Sequence, residues 1–156
     1  MKPTAQRTAA RVLVPLLLAA CVGCADSTIK TLGEENGALT DNEPGAFRFQ
    51  AFELDNVHDE VVVRWVNPEG RASVSHRSFM HHGQGAVTVL DAADQPLYST
   101  PVEYQLDNQT HPGLPGTWTV RIQLFGSRGR VDVALSSLAG EGDPDLEPPL
   151  PPQLSP

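Results

Sequence analysis

The 156-residue chain predicts an all-β protein, a single antiparallel β-sandwich of about seven or eight strands. Three observations carry this expectation. Between residues 46 and 140, apolar side chains alternate with polar ones at a period of two, the pattern of strands with one buried face. Clusters of Gly, Pro, Asn and Asp stand between the alternating runs and supply chain reversals. No segment sustains the 3.6-residue spacing that an amphipathic helix requires.

The runs follow in order. Phe47 and Phe49 face one way, Arg48 and Gln50 the other. Val61, Val63 and Trp65 alternate with Val62, Arg64 and Val66, and Val87 and Val89 with Thr88 and Leu90. Trp118, Val120, Ile122 and Leu124 alternate with Thr117, Thr119, Arg121 and Gln123; Val131, Val133 and Leu135 alternate with Asp132, Ala134 and Ser136. Turns are expected at Asn56 to Glu60, Asn67 to Gly70, His82 to Gly85, Asp91 to Pro96, His111 to Gly116 and Gly126 to Gly129. Both tryptophans share phase with core valines, which places them inside. Tyr98 and Tyr104, near turns, are left as candidate surface aromatics for stacking on a sugar ring.

The segments flanking this domain differ in composition. Residues 21–45 carry Gly33, Gly37, Pro44 and Gly45 with little apolar periodicity, and read as a flexible acidic tether. Residues 141–156 hold six prolines and four acidic side chains with no base. Such a stretch cannot bury a core or donate a ladder of hydrogen bonds, so it reads as a disordered, Pro-rich tail. The formal net charge is -8, and most of the acidity lies in the flanks. Nucleic acid is excluded as a partner because no basic patch is present to neutralise phosphates.

Residues 1–20 have the zones of an export signal. Lys2, Arg7 and Arg11 form a basic start, Val12 to Leu18 an apolar stretch, and small residues follow. The stretch is shorter than the roughly 20 apolar residues that a spanning helix needs. Leu18-Ala19-Ala20-Cys21 resembles the lipobox of bacterial lipoproteins. That resemblance implies cleavage before Cys21, diacylglyceryl attachment to its thiol, and acylation of the new amino group. It also implies a membrane-anchored envelope location. Val22 follows the cysteine, so the aspartate that resembles an inner-membrane retention signal is absent, which favours the outer membrane where the organism has one. Cys24 is then the one cysteine left, and no disulfide forms within a mature chain.

Leu114 to Ile122, followed by Gly129 to Leu135, resembles the closing hairpin of pre-peptidase C-terminal domains, jelly rolls appended to bacterial proteases. The strand, turn and strand of Val87 to Tyr98 are of a kind these domains share. The resemblance implies a jelly-roll-like, non-catalytic accessory fold, and a fold alone supplies no ligand.

Candidate chemistry concentrates in one segment. His76, His81 and His82, with Met80 and His111 in reserve, offer ligands that suit copper or zinc. Adjacent His81 and His82 point to opposite faces of a strand, so both reach one ion only if the chain bends at Gly83. Asp91 and Asp94, joined by Asp107 or Asp132, offer oxygens for calcium, although no Asp-x-Asp-x-Asp-Gly loop is present and turn capping accounts for them equally. Ser73, Ser75 and Ser78 lie near His76 without a nucleophile elbow, and no phosphate loop or His-Glu-x-x-His motif occurs. The expectation is therefore a lipid-anchored envelope protein whose sandwich is a non-enzymatic module for another envelope protein or a glycan. The alternatives are a copper- or zinc-binding lipoprotein using the 76–82 segment, and a small envelope hydrolase.

Overall fold

A computed structural model describes residues 28–103 and 105–139. The leader with Cys21, together with Cys24, Tyr104 and the Pro-rich tail, lies outside them. Seven strands follow a short 3-10 turn at Glu34–Asn36: β1 (Leu39–Glu43), β2 (Ala46–Asn67), β3 (Ala72–His76), β4 (Phe79–Leu90), β5 (Pro96–Pro101), β6 (Leu106–Gln109) and β7 (Gly116–Ser137). All ladders between them are antiparallel.

Two strands of 22 residues organise the whole. The first half of β2, residues 46–51, pairs with 131–136 of β7, and the second half, 59–67, pairs with 116–124. Between the halves the register shifts at Ala51/Leu54, Leu54/Val57 and Val57/Asp59. These bulges bend the ribbon so far that its ends meet. The Gly45 N–H donates to the Val66 carbonyl at 2.9 Å, and the Ser137 N–H donates to the Gly45 carbonyl at 2.8 Å.

The folded ribbon produces two facing layers. One contains β1, the first half of β2, the second half of β7, β3 and β6; the other contains the second half of β2, the first half of β7, β4 and β5. This is a jelly-roll order with β1 added at one edge. The layers enclose Phe47, Phe49, Trp65, Val74, Val87, Val89, Trp118, Ile122, Leu124 and Leu135, all buried. Trp65 and Trp118 stand opposite each other in register and meet edge to face, with centroids 5.8 Å apart at 89°. Each indole N–H finds a carbonyl, Glu43 for Trp65 at 3.1 Å and Leu114 for Trp118 at 2.7 Å, so burial leaves no donor unpaired.

The structure departs from expectation in two places. Asn56–Glu60, His82–Gly85 and Gly126–Gly129 do not end strands; they are bulged bends inside β2, β4 and β7. Glu53, Asn56, Gly83, Gly126 and Gly129 have the positive φ that a hairpin would also use, and here that backbone freedom serves the bend. The second departure lies in the described part of the expected tether, residues 28–45. Lys30 bridges Val57 in parallel, Asn36 is buried, and Leu39–Glu43 forms edge strand β1. All five β1 residues are exposed, so backbone pairing holds this strand without any apolar alternation to announce it.

Candidate functional site

The histidines foreseen as metal ligands are not brought together. His76 ends β3 on its inward face and is fully buried, with its Nε2 3.1 Å from the Tyr98 hydroxyl. This contact crosses from β3 to β5 and so ties one layer of the sandwich to the other. The His76 Nδ1 is buried without a hydrogen-bond partner. Burial, and then the positive charge of neighbouring Arg77, holds the imidazole pKa below its ordinary value, because both disfavour the cation. His81 and His82 lie at the bulged start of β4 and are exposed, as is His111. Among the described residues, no group of three or more His, Cys, Asp and Glu is arranged to hold a metal ion. The assignment of Tyr98 to the surface is corrected: it is 8% exposed and its hydroxyl belongs to His76.

The carboxylates weighed for calcium have donors from the protein itself. Asp91 Oδ1 accepts from the N–H groups of Ala93 and Gln95 at 2.8 and 2.9 Å, and Oδ2 accepts from the Leu114 N–H at 3.0 Å. The Leu114 contact, followed by the Gln95 contact, pulls its pKa below the usual carboxylate range. Asp91 thus pins the β4–β5 turn to the loop before β7. Asp107 is gripped by Arg77 at 2.7 and 2.9 Å, and Asp132 by Arg48 and Gln50. Asp94 approaches Arg64 at 3.8 Å.

The serines near His76 do not converge on it. Ser73 and Ser75 alternate with inward-facing His76 along β3, and the Ser78 hydroxyl accepts the Asp132 N–H at 3.0 Å. His58-Asp59-Glu60 belongs to the bend of β2. There Asp59 accepts the N–H groups of Leu32 and Glu60 at 2.8 and 2.7 Å.

Open depressions on the surface of the described residues include three. The first, about 610 Å³, lies over β4 where Gly83, Gly85 and Ala86 are small, between Phe125, Pro101 and Glu103. A second, about 470 Å³, runs along the edge from β5 to β6, between residues 96–100 and Asn108, Gln109 and His111. The third, about 370 Å³, is a shelf on the outer face of the four-stranded layer, with Val62 and Leu90 among Arg64, Asp94, Thr119 and Arg121. Such sites on rigid sheet faces and edges suit contact with an extended surface or chain. No protein-family model matches this chain, and no curated protein matches it in sequence.

Proposed function

We propose that this is a lipid-anchored protein of the bacterial cell envelope whose jelly roll is a non-enzymatic interaction module for another envelope protein or a glycan. The observation that carries the anchoring is Leu18-Ala19-Ala20-Cys21, closing a basic and then apolar leader. Two or three acyl chains at roughly 0.8 kcal/mol per buried methylene hold a protein on a bilayer where one chain does not. An interaction role is supported by how the polar residues are used. His76, Asp91, Asp107 and Asp132 are committed to internal contacts, while the depressions are open and lie on sheet faces and edges.

The test is expression of the full chain in a bacterial host with labelled palmitate. The label is expected to enter the native chain and the chain to fractionate with membrane. Cys21→Ala is expected to lose both. A Cys21→Ala chain that still takes up the label and stays with membrane refutes the proposal.

A further inference from the structure

We infer that the bent end of the sandwich is a membrane-docking surface, seated on the bilayer that carries the Cys21 lipid. The inference rests on the lipoprotein reading and adds an orientation and a contact surface to it. Seven residues lead from Cys21 to Thr28, and an extended chain spans at most about 3.3–3.6 Å per residue, so Thr28 lies within about 25 Å of the lipidated cysteine.

Thr28 to Lys30 are bound to one end of the domain. The Asn56 side chain donates to the Thr28 carbonyl at 2.9 Å, Lys30 N–H donates to the Asn56 carbonyl at 3.1 Å, and His58 N–H donates to the Lys30 carbonyl at 2.8 Å. Those contacts are made to the bend of β2, beside the bends of β7 and β4. The opposite end, with Asn67, Leu114 and Gly116, stands a further eight β2 residues away, about 26 Å at the usual rise of a strand. A leash short of full extension therefore keeps the bent end nearer the bilayer than the other.

The side chains at this end match that placement. Among the described residues, five of the eight exposed large hydrophobics lie at or next to the bends in register: Ile29, Leu39, Phe52, Phe79 and Phe125. Phe47 and Phe49 are in the core, and the remaining three phenylalanines all stand exposed at the bends, Phe79 at 58% and Phe125 at 52%. Rings of this kind, in contact with the head-group and upper acyl region, bury apolar surface that water otherwise wets. Lys30 and Arg128 both close on Asp55, at 2.6 and 3.5 Å, and Glu34, Glu35 and Glu53 lie nearby in sequence with them. The surface has no basic excess, so the attraction is apolar and the bilayer it suits is zwitterionic.

The experiment uses the lipidated full chain in phosphatidylcholine and phosphatidylethanolamine vesicles, with and without brominated acyl chains. Trp65 and Trp118 are fully buried and give a constant background. Phe79→Trp, Phe125→Trp and, at the far end, Leu114→Trp each add one reporter. Brominated lipid is expected to quench the added indole at positions 79 and 125 but not at 114, with the same loss at low and high salt. Vesicle flotation is measured on the same samples. Chains that float without quenching at 79 and 125, or with equal quenching at 114, overturn the docking surface and leave the lipoprotein reading standing. Chains that do not float overturn both.

Discussion

Mild acid is expected to loosen the sandwich through His76. The neutral imidazole sits in the core with its Nε2 on the Tyr98 hydroxyl, and its Nδ1 faces no acceptor. Protonation would place a cation in that site beside Arg77, which is why burial first and Arg77 second depress its pKa in the fold. The unfolded chain takes up the proton near the ordinary value of 6.5, while the folded chain resists it until lower pH. Between those two pKa values the unfolded state holds more protons. Stability is therefore complete above pH 6.5 and falls as pH drops below it toward the folded pKa. The steepest slope one site gives is about 1.4 kcal/mol per pH unit, a melting temperature lowered by roughly 5 °C per unit in a domain of this size. Asp91, Asp107 and Asp132 do not share this window. Their pKa values are lowered from 3.8 by their donors, so their contribution is kept above that pH and lost only in stronger acid. Urea unfolding at half-unit steps from pH 7.5 to 5 reads the slope. The double variant His76→Phe with Tyr98→Phe replaces both partners by apolar rings and is expected to cost little at pH 7.5, with a flat profile across the window. A flat native profile, or an undiminished slope in the double variant, refutes the reasoning.

Two further outcomes follow from the bends and the long loop. Gly129→Ala is expected to cost about 1–3 kcal/mol, because φ is +132° and the new Cβ would strike the Phe79 carbonyl across the β4–β7 ladder. Gly45→Ala has φ +79° but meets only the Ser137 side chain at 3.6 Å, so its urea midpoint is expected to fall less; equal losses would deny the close approach its weight. Asp91→Ala removes the acceptor for three backbone N–H groups. Amide exchange at Ala93, Gln95 and Leu114 is expected to quicken, with a lower melting temperature, whereas unchanged exchange would show that water replaces the carboxylate without loss.

The strands that carry the core were legible in the sequence because burial on one face imposes its own alternation. Phe47/Phe49, Trp65, Val87/Val89, the run from Trp118 to Leu124 and Val131 to Leu135 all point inward as their phase required. Strand β1 was not legible. Its side chains are all exposed, and what places it is main-chain pairing with β2, which any sequence can offer. The bends misled for a different reason. Positive φ at Asn56, Gly83, Gly126 and Gly129 answers equally to a two-residue turn and to a bulge. Only the partner strand decides between them, and all three bends lie side by side on β2, β7 and β4. Three local turn signals thus became one nonlocal feature.

The candidate sites show the same division between local and assembled information. A row of histidines supplies ligand type, but β3 turns His76 into the core while the bulge after Met80 leaves His81 and His82 at the surface. The sequence distance of Asp91 from Leu114 likewise concealed a contact that locks two loops together. Exposed aromatics mislead by composition, since Phe52, Phe79 and Phe125 are core residue types, although Phe52 and Phe125 fall on the outward phase of the alternation that buries Phe47, Phe49, Ile122 and Leu124. Their common position emerges only when the long strands bend, and the bend also receives residues 28–30. The lipoprotein address we propose is local, a short run of residues after a basic and apolar leader. The docking surface we propose beside it is built by folding, so the expected anchor is read from residues 18–21 alone while the proposed bilayer-facing side is read from the fold.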